Sequence, residues 1–512
     1  MWDNLKNWLP IIIGAVLSAV SLICVNYLLG WLATSFLFYS LFKTTNSRKQ
    51  IIGGLLFGFV SAAILNSWMI TVVHRYAQGS ILIGIVCWMV SAILISLIYG
   101  LQIFIFNKTK LVQKSTVSLY INATLMASLW ALAEWIRSEF LYGMPWLSYS
   151  IGISQSSNIY IVQNAVIGGV FLLSFIIILF NYLLAFAVYT KKIKLLLGPV
   201  AILLSSFIIG FFLYQDLNRK VKGSTSNKIR VALPLASLPP ETIWDESNGN
   251  QLVQNLLELN KKAVQGRPDL ILWSETIVPW TYLPNDDLVQ EISKSTLRDS
   301  IHFLLGMNTS INGSSDIINN SAYYFSPGGK ALGRYDKQKL LTLIEKPLFS
   351  STGNLILPFL SNSGIKVFPG ESKPLETIWG KAGILICNES TISTLSESFA
   401  EEGVSFIVNM GNDSWFSKNF ITKQHFYNCR LRAVETRKDL VINNNLGTSG
   451  VIRANGDISK VYNNKVSSVQ FVDIYPNTVK TIKQSYFIYF LFIAVSIIVL
   501  TTFLTGKPKQ IN

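Results

Sequence analysis

The chain has 512 residues, half of them hydrophobic and 14% charged, with a net charge of +15 at neutral pH. Several apolar runs of about 20 residues exclude a single soluble globule and point to a multi-pass membrane protein carrying a polar insert. Nor does the charge point to nucleic acid: residues 1–218 hold 12 Lys/Arg against 4 Asp/Glu and 483–512 hold 3 against none, while 219–482 hold 28 against 24, so most of the excess flanks membrane segments.

In chain order the apolar runs predict spans at 9–26, 28–44, 51–73, 81–106, 117–137, 161–189 and 195–215, seven before the insert, and one after it at 485–505. The first is followed at once by the second and has no convincing small-residue cleavage site, so it reads as an anchor rather than a removed signal peptide. Lys6, Lys43, Arg48, Lys49, Lys108, Lys110, Lys114, Lys191, Lys192, Lys194, Lys507 and Lys509 fall on alternate connections, against Arg75 and Arg137 on the others. This asymmetry predicts a cytoplasmic N-terminus and an insert on the opposite side, which in a bacterium with two membranes is the periplasm. The expected organisation is therefore a transmembrane domain over 1–218, an extracytoplasmic domain over 219–482 and a C-terminal span with a cytoplasmic tail over 483–512. Glu134 and Arg137 lie one turn apart near the outer end of the fifth span, before an aromatic loop, Phe140–Trp146, that Pro145 keeps from being helical. They read either as the wall of a lipid path or as an interfacial ion pair beside an aromatic belt.

The insert changes character. Strand-like runs at Ile229–Leu235, Leu270–Trp273, His302–Met307, Ala322–Phe325, Ala382–Ile386, Ser405–Val408 and Leu440–Ile442 alternate with helix-like segments such as Asn250–Val264 and Lys423–Arg437, which predicts an α/β domain. Ser326–Gly329, Ser-Pro-Gly-Gly, reads as a hairpin turn.

Within the insert, Cys387 stands where the apolar run Ile384–Ile386 gives out into polar residues, the edge at which an α/β sheet presents reactive groups. A thiol there is either a nucleophile or a small core residue. The four cysteines, Cys24, Cys87, Cys387 and Cys429, lack metal-ligand spacing and form no disulfide pattern. Glu275 follows the run Leu270–Trp273 and could take the thiol proton. Lys337, after the hairpin, could offset charge on a tetrahedral intermediate. A lone glutamate or lysine after a strand is far more often a solvated surface residue. His425 and Cys429 sit at i and i+4 on a predicted helix, but a self-supporting charged helix carrying Arg430, Arg432, Glu435 and Arg437 is the simpler reading there.

Together, Trp273–Thr276, Tyr335–Lys337 and Leu385–Glu389, in this order and placed between seven spans and one, resemble the Glu-Lys-Cys signatures of the nitrilase (carbon-nitrogen hydrolase) superfamily and, within it, the membrane-bound apolipoprotein N-acyltransferase family. The resemblance extends to Asn412–Phe416, to Gln424-His425 with the charged residues after it, and to Asn443–Gly450. It implies an α-β-β-α sandwich for the insert, with Cys387 as nucleophile, Glu275 as general base and Lys337 as oxyanion stabiliser. Glu345 and Glu389 would be supporting carboxylates, the Asn388 N–H a second oxyanion donor, and Trp244, Leu343 and Trp415 lid or substrate contacts. It further implies a phospholipid acyl donor, a cysteine thioester, a diacylated apolipoprotein as acceptor, no metal or cofactor, a monomer, and a place in the bacterial inner membrane.

The sequence departs from the family pattern at Ser274, usually proline, at Leu343, usually aromatic, at Asn388, usually tyrosine, and at Val231–Pro234 in the opening strand. These changes leave room for an amidase, or for an acyltransferase serving another amine. A non-catalytic scaffold is the reading from a different class.

Overall fold

The computed structural model describes residues 2–77, 80–113, 115–222, 228–242, 244–342, 345–346, 366–371, 373–416, 419–463 and 465–504. The chain divides into two compact units, one formed by Met1–Arg75, Gly79–Tyr214 and Ile482–Asn512, the other by Gln215–Thr481 with Tyr76–Gln78.

The first unit is helical: α1 (Trp2–Ile23), α2 (Tyr27–Ala33), α3 (Ser35–Lys43), α4 (Ser47–Leu65), α5 (Met69–Ala77), α6 (Ile81–Thr109), α7 (Thr116–Phe140), α8 (Ala165–Thr190), α9 (Leu197–Lys222) and, at the far end of the chain, α14 (Ser485–Leu504). Six helical stretches among the described residues are long and apolar enough to cross a membrane. The predicted span 28–44 is not one of them, being broken at Thr34 into two short helices. Asn181 of α8 holds the break, accepting from the Ser35 amide at 2.9 Å and donating to the Gly30 carbonyl at 3.2 Å. Main-chain groups freed at a helix break need such a partner where water is scarce. Likewise the predicted span 51–73 is interrupted between Leu65 and Met69. The core of this unit is aromatic, with Phe38, Phe57, Tyr99 and Tyr182 around Trp130 and its neighbours.

Glu134 and Arg137 both hold the irregular segment after α7. The Glu134 Oε1 accepts from Trp130 Nε1 and from the Ile151 amide, each at 3.0 Å, and Arg137 donates to the carbonyls of Leu147 and Tyr149 at 3.2 and 3.3 Å. These bonds give both charged residues a structural task, one that neither sequence reading included.

The second unit is a four-layer α-β-β-α sandwich. Its strands are β1 (Ile229–Leu235), β2 (Leu270–Leu272), β3 (His302–Ile311), β4 (Ser314–Phe325), β5 (Ala331–Asp336), β6 (Lys366–Val367), β7 (Leu375–Thr377), β8 (Gly380–Ile386), β9 (Phe406–Asn412), β10 (Leu440–Asn445), β11 (Thr448–Ile452), β12 (Ile458–Asn463) and β13 (Ser468–Ile474). One sheet runs β13-β1-β2-β3-β4-β5, with β6 beside β4, and the other β12-β11-β10-β9-β8-β7. Strands β8, β9 and β10 are parallel neighbours, buried on both faces, which accounts for their unbroken apolar runs. Helices α10 (Gly249–Gln265) and α11 (Asp287–Thr296) pack on the first sheet through Leu256, Leu259, Leu288 and Ile292. Helices α12 (Ser393–Glu401) and α13 (Ile421–Thr436) lie with the second sheet, where bare Gly383 leaves room for Phe399. Asn443 of β10 crosses between the sheets, donating to the carbonyls of Pro234 and Leu272 at 3.1 and 2.6 Å. The hairpin expected at Ser326–Gly329 joins β4 to β5, closed by Gly329 N–H to the Ser326 carbonyl at 2.9 Å.

Candidate active site

Three strand ends build the site. Strand β2 runs parallel to β3, β4 turns back, and β5 returns in the direction of β2, so the residues following β2 and β5 lie at one edge. Glu275 and Lys337 are those residues, and their side chains meet at 3.3 Å with 8% and 1% exposure. Lys337 Nζ also reaches Glu345 Oε1 at 2.9 Å. Burial alone would pull the lysine's pKa down, but the Glu275 and Glu345 carboxylates override it and hold the group charged, with a pKa well above its ordinary value. Sequence reasoning missed Asn320, whose Nδ2 donates to Glu275 Oε1 at 2.8 Å and to Glu345 Oε1 at 3.4 Å. The Lys337 amide donates to the Asn320 carbonyl at 2.8 Å. A buried asparagine inside a strand was the only local hint.

Cys387 closes β8 and opens a short 3₁₀ turn, Cys387–Thr391. Its φ is +53°, a left-handed conformation that costs energy in a residue with a Cβ, and Thr276, next to Glu275, has φ +40°. Such strain persists only where the surroundings impose it, and functional sites are where it concentrates. The residue as a whole is half-buried. The thiol's pKa is pushed well above the ordinary value, by burial first and by the Glu275 charge second, with the nearby Lys337 pulling the other way. The resting group is therefore a neutral thiol.

Glu389 ties the nucleophile's turn to the lysine's loop. One carboxylate oxygen accepts from the amides of Gln338 and Lys339 at 2.8 and 3.1 Å, the other from the Ile386 amide at 2.8 Å and the Tyr335 hydroxyl at 3.0 Å. Complete burial pushes its pKa up to about 7 against these donors. Asn388 adds a second tie, donating from Nδ2 to the Lys339 carbonyl at 3.1 Å. Asn409 of β9 supports the turn from below through the Leu385 carbonyl at 3.1 Å.

Of the expected lid residues, Trp244 is half-buried and sits edge-on against Trp280 at 5.6 Å, packed on the hydrophobic core of the first sheet. Trp415 is half-buried in a turn after β9. Leu343 lies outside the described residues. His425 has Asp413, not Cys429, as its partner, with Nδ1 and Oδ1 2.7 Å apart. Cys429 is buried beside Ser390, and its pKa is pushed up to about 12 by burial. The described residues contain no cluster of His, Cys, Asp or Glu able to hold a metal. This arrangement places a thiol, a carboxylate and an ammonium together with supporting donors, the parts needed for nucleophilic acyl transfer.

Comparison with known proteins agrees in both units. A family described as apolipoprotein N-acyltransferase N-terminal domain matches residues 14–183, and one described as carbon-nitrogen hydrolase matches residues 235–484. A protein of Rickettsia prowazekii (strain Madrid E) named apolipoprotein N-acyltransferase is 30% identical over 359 residues, covering 67% of this chain and 68% of its own. One of the same name from Geobacter metallireducens is 28% identical over 475 residues, covering 88% and 86%. Among solved structures, that of Saccharomyces cerevisiae Nit3, a member of branch 10 of the nitrilase superfamily, covers 50% of this chain and 92% of its own, with 17% identity and a TM-score of 0.39.

Proposed function

This chain belongs to the apolipoprotein N-acyltransferase family, and from that premise we propose that Cys387, Glu275 and Lys337 carry an acyl chain from a phospholipid to the amino terminus of a diacylated lipoprotein. The protein is an acyltransferase of lipoprotein maturation with several membrane-spanning helices. In the proposed cycle Glu275 takes the Cys387 proton as the sulfur attacks the acyl ester. Lys337 and the Asn388 N–H face the oxyanion, the C–O bond breaks, and Glu275 returns the proton to the departing lysophospholipid alkoxide. The thioester is then attacked by the acceptor amine, and Cys387 leaves as thiol. Glu345 and Asn320 keep the base and the ammonium in register, Glu389 and Asn388 keep the ammonium's loop against the nucleophile's turn, and Trp244 and Trp415 serve as lid contacts.

The observation that carries this reading is the buried contact of Lys337 with Glu275 at 3.3 Å, beside a strained Cys387 whose turn is bound to the lysine's loop by Glu389. The distribution of lysine and arginine supports an inner membrane location with residues 219–482 on the periplasmic side. The protein acts as a monomer in this reading. It is tested by incubating membranes containing the protein with phospholipid and a diacylated lipopeptide. A third fatty chain on the terminal nitrogen, detected by mass, is the expected product. Acyl labelling of Cys387 without transfer to the lipopeptide would point instead to a different amine acceptor.

A further inference from the structure

The two halves of the proposed cycle differ in their proton balance. Forming the thioester is neutral, because the proton that leaves Cys387 ends on the lysophospholipid alkoxide. Aminolysis is not. An α-amino group has a pKa of about 8 and arrives largely as an ammonium at neutral pH, and on becoming an amide it loses two protons. One restores the Cys387 thiol through Glu275. The other needs a second acceptor, which Glu275, occupied with the first, does not supply.

The structure holds a base in the right place. Strands β8 and β9 are parallel neighbours with Ile386 opposite Met410, so Cys387, just past β8, and Asp413, just past β9, emerge at the same edge. Asp413 is 1% exposed. Its Oδ1 lies 2.7 Å from His425 Nδ1 and its Oδ2 accepts from Asn444 Nδ2 at 3.4 Å. A buried carboxylate on Nδ1 fixes the tautomer, leaving Nε2 with the lone pair. Helix α13, which carries His425, packs against the nucleophile's turn: one helical turn past His425, Cys429 hydrogen-bonds Ser390 in the Cys387 turn. The Phe416 ring stands edge-on to the imidazole at 6.0 Å and limits its rotation. The charged groups facing the ring are Asp413 from the turn after β9, Glu275 from the end of β2 and Lys337 from the end of β5. Burial would favour the neutral ring, but Asp413 and then Glu275 outweigh it, Lys337 opposing, so the proton is held more firmly than on a free imidazole.

We infer that His425, oriented by Asp413, is the second base of the aminolysis step: Nε2 takes one proton from the acceptor ammonium, the resulting imidazolium is stabilised by Asp413, and the proton passes to solvent along the ring's exposed edge. The freed amine attacks the thioester carbon, its second proton travels through Glu275 to the sulfur, and the C–S bond breaks. This inference rests on the amine-acceptor reading above.

The test separates the half-reactions in the full-length, detergent-solubilised protein. Protein preloaded with a phospholipid acyl chain is mixed with a diacylated lipopeptide, and loss of the Cys387 thioester is followed across pH. For His425→Gln the expected result is aminolysis about 10-fold slower at pH 7, where roughly a tenth of an amine of pKa about 8 is already free, with the deficit closing above about pH 9, where the acceptor arrives as free amine. Thioester formation, which also reports the fold, is expected to slow less than about threefold against that loss. Asp413→Asn shows the same pattern, less deeply. Unchanged aminolysis at every pH overturns the inference, as does equal slowing of both half-reactions with no recovery at high pH, the mark of a structural role. A wild-type protein that loads the acyl chain but never passes it to the lipopeptide removes the acceptor reading itself, and this inference with it.

Discussion

Replacing Glu389 with glutamine tests whether one buried carboxylate sets the spacing between nucleophile and ammonium. The wild-type side chain accepts four bonds at 2.8 to 3.1 Å, two on each oxygen. Glutamine keeps one acceptor oxygen, so in either orientation two donors face an NH₂ group. Losing two charge-assisted bonds, each contributing about 1.5–3 kcal/mol, destabilises the second unit by about 3–6 kcal/mol, which at the size of this domain lowers its melting temperature by on the order of 10 °C. The functional loss is larger than the thermal one implies. Gln338 and Lys339 adjoin Lys337, and Ile386 adjoins Cys387, so the freed segments separate the ammonium from the sulfur. A misplacement of about 1 Å costs about 100-fold in rate. Melting by tryptophan fluorescence and the rate of acyl-Cys387 formation by mass, both below the wild-type unfolding temperature, give the two numbers. A Glu389→Gln protein with unchanged melting and a full rate would refute the argument.

Three further outcomes follow. Lys337→Met leaves Glu275 and Glu345 sharing Asn320 without a cation, and thioester formation measured in a single turnover falls by about 10²–10³ or more, whereas a loss below tenfold would remove the lysine from the mechanism. Because burial and the Glu275 charge raise the Cys387 pKa well above its ordinary 9.0, the thiolate is disfavoured at neutral pH, and alkylation of this residue by iodoacetamide keeps rising with pH past 9; a plateau below about pH 7 would instead reveal a preformed thiolate. A Cβ on Gly306 would stand 2.5 Å from the Ser274 carbonyl oxygen and 2.6 Å from the Thr276 nitrogen, so Gly306→Ala displaces the loop that carries the base, at about 1–3 kcal/mol, and lowers kcat without weakening lipopeptide binding.

The parts of the site legible in the sequence are those whose chemistry and neighbours are contiguous in the chain. Glu275 and Cys387 each follow an apolar run and Lys337 follows a hairpin, and the runs at β1, β8 and β10 are buried on both faces and announce themselves by composition. Strands such as β12, Ile-Ser-Lys-Val-Tyr-Asn, are half-exposed and antiparallel, with no continuous apolar signal. The break at Thr34 was hidden for a different reason. Residues 28–44 are apolar throughout, and the group that makes a break tolerable, Asn181, lies 146 residues from the amide it caps. Asp413 and His425 are separated by 12 residues and a turn, so helical spacing suggested Cys429 as the histidine's neighbour while the fold supplies the carboxylate. Asn320 acts through bonds to carboxylate and main-chain groups of other segments, a kind of information that no local pattern contains.

The most direct test of the central claim is the mass of the Cys387 peptide after the protein meets phospholipid in the absence of any amine acceptor. The account predicts one fatty acyl chain on that cysteine, removed by hydroxylamine, and no adduct when Glu275→Gln or Lys337→Met protein is treated in the same way. An unmodified Cys387 in a protein that still acylates lipopeptide, or an acyl chain carried on another residue, would contradict it.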